Sequence, residues 1–85
     1  MAAPGNGTMA ITVKFFARLR EEMGKADEIV AFDPGLSVAD VWKLATRGQA
    51  MPESLLVAVN MEYARGNVEL HDGDEVAFFP PVTGG

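Results

Sequence analysis

One stretch of the chain, Ser37 to Arg47, carries the apolar spacing of a long amphipathic helix, and no other stretch does. Val38, Val41, Leu44 and Ala45 are expected on one stripe that must be buried. Ser37 is placed to cap the first turn. Asp40, three residues on, suits the helix dipole and forms a weaker version of the capping box. Gly48 should stop the helix just after Arg47. Trp42 lies at the edge of the stripe and reads as packing rather than as a platform for a ligand. With one long helix available, the remaining apolar residues have to form a sheet that this helix covers on one face.

The strands announce themselves by a period of two. From Ala10 to Phe16, Ile11, Val13 and Phe15 fall on one face and Thr12, Lys14 and Phe16 on the other. Ala17 to Met23 favours one or two helical turns, with Gly24 at the C-terminal cap position. Asp27 to Phe32 reads as a second strand with Val30 and Phe32 inward, ended by Asp33-Pro34-Gly35. After the helix and a loop over Gln49 to Ser54, Leu55 to Val59 is a third strand with Val57 and Val59 inward. Asn60-Met61-Glu62 turns the chain into a brief strand at Tyr63-Ala64. Leu70 should anchor the next loop, and Asp72-Gly73 turns into a last strand, Asp74 to Phe79.

Strand, short helix, strand, helix, strand, short strand and strand, in under 80 residues, is an α+β pattern. It fits the ubiquitin-like β-grasp arrangement: a mixed sheet with one main helix on one face, and the last strand parallel to and beside the first. The expected domain spans residues 9–79, after a polar, disordered leader at residues 1–8.

Two aromatics break the pattern. The alternation that sends Val76 and Phe78 to the core leaves Phe79 on the other face, as it leaves Phe16. Parallel neighbouring strands are ~4.8 Å apart, so both rings should form one patch at one edge of the sheet. Burying that patch against a partner would contribute a few kcal/mol at roughly 25 cal/mol per Å².

Pro80 and Pro81 lack amide donors, so the ladder stops there and the chain leaves stiffly. Extended, residues 80–85 reach roughly 20 Å past the strand. Val82 and Thr83 supply modest contacts, and Gly84 and Gly85 pass where no side chain fits. The expected reactive group is the Gly85 α-carboxylate, ionised and poorly electrophilic at neutral pH. It becomes an acyl donor only after activation, for example as an acyl-adenylate.

Composition removes the main alternatives. There is no cysteine, so disulfides, thiolate metal sites and a Cys nucleophile are excluded, and any sulfur handled by the chain is not encoded in it. The single histidine, His71, reads as a solvated turn residue, and no metal site is expected. With 12 acidic and 7 scattered basic residues, net charge −5, there is no basic stripe for nucleic acid, and a basic protein surface is the better match. No apolar run approaches the ~20 residues that span a bilayer, and no signal peptide is recognisable. No membrane partner and a cytoplasmic location are therefore expected.

The run from Asp72 to Gly85, DGDEVAFFPPVTGG, closely resembles the C-terminal signature of the molybdopterin synthase small subunits, a family of ubiquitin-like sulfur carriers. Val13 to Glu21 resembles that family's opening strand and turn, and Ala58-Val59-Asn60 its third strand. The resemblance covers residues 9–85, and the leader has no counterpart. It implies that an E1-like adenylating enzyme activates Gly85 with ATP and that a sulfur donor protein converts it to a thiocarboxylate. The tail then enters the large subunit and gives sulfur to cyclic pyranopterin monophosphate, forming the dithiolene of molybdopterin. No bound cofactor is implied. The catalytic groups are expected on the large subunit, and the assembly as a heterotetramer. The family also implies Phe16, Phe79 and Tyr63 at the subunit contact, although Tyr63 stands where an aliphatic residue is expected. Lys14, Arg18 and Arg20 read as solvated charges or contacts to an acidic rim.

Three other readings of the same residues compete with this one. A carrier for thiamine thiazole synthesis or a protein-conjugating ubiquitin relative would share the Gly-Gly end, but the Phe-Phe-Pro-Pro-Val-Thr segment argues against both. The third possibility is a non-catalytic ubiquitin-like interaction module with an inert tail.

Overall fold

The structure, a computed structural model, describes residues 9–81. The expected disordered leader and the tail residues Val82, Thr83, Gly84 and Gly85 lie outside the described residues.

The elements follow the expected order: β1 (Ala10–Phe15), α1 (Arg18–Met23), β2 (Asp27–Ala31), α2 (Val38–Ala45), β3 (Leu56–Val59), β4 (Glu62–Tyr63) and β5 (Glu75–Phe79). They form one five-stranded sheet of order β2-β1-β5-β3-β4. β1 and β5 run parallel in the middle with Phe15 opposite Phe78, and the other pairings are antiparallel. This is the mixed β-grasp sheet with α2 over one face.

That face is apolar because strand parity makes it so. Ile11, Val13 and Phe15 from β1, Val76 and Phe78 from β5, and Val57 from β3 are buried against Val38, Val41, Trp42 and Ala45 of α2. Trp42 is the centre of this packing. Its ring meets Phe78 edge-on at 4.9 Å and Phe15 at 6.3 Å, and its indole N–H donates to the Ala50 carbonyl at 3.2 Å. Trp42 is a core residue, as its reading as packing required.

One member of the expected stripe is wrong. Leu44 is 56% exposed, and Trp42 takes the buried place. The stripe that faces the sheet is Val38, Val41, Trp42 and Ala45, the i, i+3, i+4, i+7 set, and Leu44 at i+6 falls outside it. The helix also ends two residues before Arg47. Thr46 is its C-cap, and its hydroxyl donates to the Trp42 carbonyl. Arg47 then takes φ 62°, while the Gly48 amide donates back to the Lys43 carbonyl at 2.7 Å, which closes the helix as a Schellman turn. At the other end the capping box forms in both directions between Ser37 and Asp40. The Asp40 carboxyl is held below its ordinary pKa, first by the Ser37 backbone amide and then by the Ser37 hydroxyl.

Smaller boundary differences have local causes. Phe32 lies just past β2, half-buried against the core. β4 is Glu62–Tyr63 rather than Tyr63-Ala64, because a two-residue turn at Asn60-Met61 pairs Val59 with Glu62.

Candidate functional site

The residues with chemistry to offer lie on the sheet face that α2 does not cover. β1 and β5 each send one aromatic inward and the next one outward. Phe15 and Phe78 enter the core, and Phe16 and Phe79 emerge side by side on the opposite face. The outer rings stack with centroids 4.7 Å apart and planes 7° from parallel. The Phe16 amide donates to the Phe78 carbonyl at 3.1 Å, so the parallel ladder holds both strand ends in step.

Tyr63 joins them from β4. It lies opposite Ala58 of β3, which lies opposite Ala77 of β5, and its ring is 6.2 Å from Phe79. The three aromatics named from the sequence are thus brought together, and Tyr63 is 75% exposed. Between them is a recess of about 270 Å³ with Ala58 and Ala77 at its base and Phe16, Phe79, Tyr63, Met61 and Glu75 around it. Leu56, opposite Phe79 on β3, extends the apolar surface at 38% exposure.

Met61, Leu56 and the two alanines are absent from the sequence-based site. Parity could have supplied three of them: with Val57 inward on β3, Leu56 and Ala58 must face outward, and with Val76 and Phe78 inward, so must Ala77. Met61 had no such signal, because a methionine in a turn reads as loop.

Pro80 and Pro81 follow directly on Phe79, so the chain departs from β5 beside the stacked rings. Gly85, Gly84, Thr83 and Val82 lie outside the described residues. Lys14 is opposite Ala77 across the β1–β5 ladder, and Arg18 and Arg20 belong to α1 beyond Phe16. His71 is exposed in a turn that Asp74 organises by accepting from the His71 amide at 2.8 Å. Among the described residues no three His, Asp or Glu side chains are grouped to hold a metal ion. No helix among them is long and apolar enough to cross a membrane. The charged groups of this face include Lys14, opposite Ala77, and Glu75 in the recess lining. What it offers is an apolar, aromatic contact surface at the root of the Pro80-Pro81 exit.

Comparison with known proteins agrees with that architecture. The ThiS family model matches residues 13–85. The chain is 43% identical over 84 residues to the molybdopterin synthase sulfur carrier subunit of Escherichia coli (strain K12), covering 88% of this chain and 99% of the relative. It is 34% identical over 82 residues to the protein of the same name from Haemophilus influenzae, covering 88% and 99%. Among solved structures, the small archaeal modifier protein 1 of H. volcanii superposes with a TM-score of 0.70 at 28% identity, covering 86% of this chain and 98% of that one.

Proposed function

The chain belongs to the ThiS family, with the molybdopterin synthase sulfur carrier subunits among its relatives, and from that premise we propose that it is the sulfur carrier subunit of a molybdopterin synthase. The observation that carries the reading is the stacked Phe16–Phe79 pair, half-exposed at the root of the Pro80-Pro81 exit. A carrier needs a rigid docking face and a reactive end that reaches away from it. The aromatic face supplies the first, and residues 80–85 supply the second.

In this reading Phe16, Phe79 and Tyr63 dock on the large subunit, which provides the catalytic groups. The Gly85 carboxylate attacks the α-phosphorus of ATP on an adenylating enzyme, releasing pyrophosphate. Sulfide-level sulfur supplied by a donor protein then attacks the acyl-adenylate carbonyl, forming the C–S bond as AMP leaves. The resulting thiocarboxylate is a far better sulfur nucleophile than the carboxylate it replaces. Gly84 and Gly85 leave its approach unhindered in a narrow channel, where the sulfur passes to cyclic pyranopterin monophosphate. Cytoplasmic action fits a chain that uses ATP and reduced sulfur.

The test is intact mass after incubation with ATP, the adenylating enzyme and a sulfur source. Replacement of one terminal oxygen by sulfur is expected, and it should vanish when residues are appended after Gly85. An unchanged mass with all components active overturns the proposal.

A second reading has one observation in its favour, the likeness to an archaeal modifier protein. There the activated Gly85 would be passed to a lysine amine of another protein. Covalent adducts of higher mass after activation, in place of the thiocarboxylate, would select it.

A further inference from the structure

The turn joining β3 to β4 contains two consecutive residues in left-handed conformation, Asn60 at φ 52° and Met61 at φ 71°. A two-residue hairpin turn of this kind favours asparagine first and glycine second. Asn60 fulfils its part. Its side-chain oxygen accepts from the Glu75 amide at 3.0 Å, and its side-chain nitrogen donates to Asp74 at 2.9 Å. These bonds tie the turn to the start of β5 and offset the conformational cost.

Met61 has no comparable compensation. A side chain with a β-carbon is disfavoured at such a φ, and this one is 84% exposed. The chain therefore gives up both backbone ease and apolar burial at a position where glycine would serve the hairpin better. Strain of this kind is retained where the side chain has a use. Met61 lines the recess floored by Ala58 and Ala77, beside Tyr63 and Phe79.

We propose that Met61 is a specificity-determining docking residue, the adjustable wall of a recess that receives one basic side chain of the large subunit. This rests on the docking face proposed above and names what that face recognises. The floor is two methyl groups, and the walls are aromatic rings and a flexible, polarisable thioether, a lining suited to an alkyl stem. The single charged residue in the lining is Glu75. A lysine or arginine satisfies both demands, with its stem across the alanines and its cation at Glu75. Aromatic faces of Phe16 and Tyr63 favour the same occupant. Lys14, opposite Ala77, does not line the recess. The net charge of −5 draws a basic partner surface toward the whole domain.

The experiment measures affinity for the large subunit from the same organism, using Met61→Asn, Glu75→Gln and Phe79→Ser variants of the full chain, with a melting curve for each. Asparagine accepts the left-handed turn, so Met61→Asn keeps the fold and removes only the thioether wall. It is expected to bind about ten-fold more weakly, with a melting temperature equal to or above the parent's. Glu75→Gln is expected to bind more weakly at low salt and to lose part of the salt dependence. If Phe79→Ser weakens binding while Met61→Asn does not, the Met61 assignment is overturned and the docking face stands. If Glu75→Gln alone leaves affinity and salt dependence unchanged, the basic occupant is wrong. If all three bind as the parent does, the docking face itself is refuted.

Discussion

Phe16 and Phe79 stack 4.7 Å apart on the open face of the sheet, while their chain neighbours Phe15 and Phe78 lie 6.1 Å apart on the covered face. Two adjacent parallel strands thus present the same aromatic step twice, one ring to the core and the next to the outside. The inner pair belongs to the core, and the outer pair is the surface proposed for docking.

That division is testable by comparing the two pairs. Phe78→Ala removes a fully buried ring beneath Trp42 and should cost about 3–5 kcal/mol of stability. Phe16→Ser with Phe79→Ser should cost much less, about 1–2 kcal/mol, because both rings are already in partial contact with water. The same double change should weaken binding to the large subunit at least a hundred-fold. Chemical denaturation and binding titrations on both variants check the contrast, and equal stability losses would refute it.

At the other end of the proposed mechanism, removing Gly85 should abolish sulfur transfer and leave large-subunit binding within a few-fold of the parent. Activity and affinity measured on one preparation separate the two roles. Loss of both together would contradict a division into docking face and reactive end.

The capping box gives a pH signature. Asp40 titrates below its ordinary value because the Ser37 amide and hydroxyl donate to it. Its stabilising effect is therefore fully present above the unfolded carboxylate pKa of about 3.9 and is lost as pH falls through the lowered folded value. The parent should be more stable than Asp40→Asn at pH 7, and the gap should close in strong acid. Ser37→Ala should cost about 1 kcal/mol at neutral pH. Melting curves across the acid range provide the check.

Two further backbone positions invite stabilisation. Ala17, directly after Phe16, has φ 56° and ψ −136°, a conformation natural to glycine. Arg47 occupies the left-handed position after α2. Ala17→Gly and Arg47→Gly should each add about 0.5–1 kcal/mol, raising the melting temperature by a few degrees for a domain of this size. Arg47→Gly should leave docking unaffected, since it is remote from the open face. A fall in melting temperature would show that these positions are not strained.

The β-grasp order and most of the core were legible because they follow from local period. Strand parity set Ile11, Val13, Phe15, Val76 and Phe78 inward, and it left Phe16 and Phe79 outward. The Ser37–Asp40 cap was legible for the same reason, since its partners are three residues apart. Leu44 was misassigned because its spacing from Val41 fits a stripe that Trp42, from the other flank, fills instead. The indole packs against Phe15 and Phe78, and Leu44 is left outside the stripe.

The amino-acid order by itself determined the sequence of elements and which strand residues share a face, because periodicity, caps and prolines act within a few residues. Only the tertiary structure decided that Tyr63, Met61, Leu56 and the two alanines complete the surface around the Phe16–Phe79 stack. Those residues come from β3, β4, β5 and a strained turn, and their meeting depends on sheet order and register across the whole chain. The root of the Pro80-Pro81 exit was written in β5, and the face beside it had to be assembled.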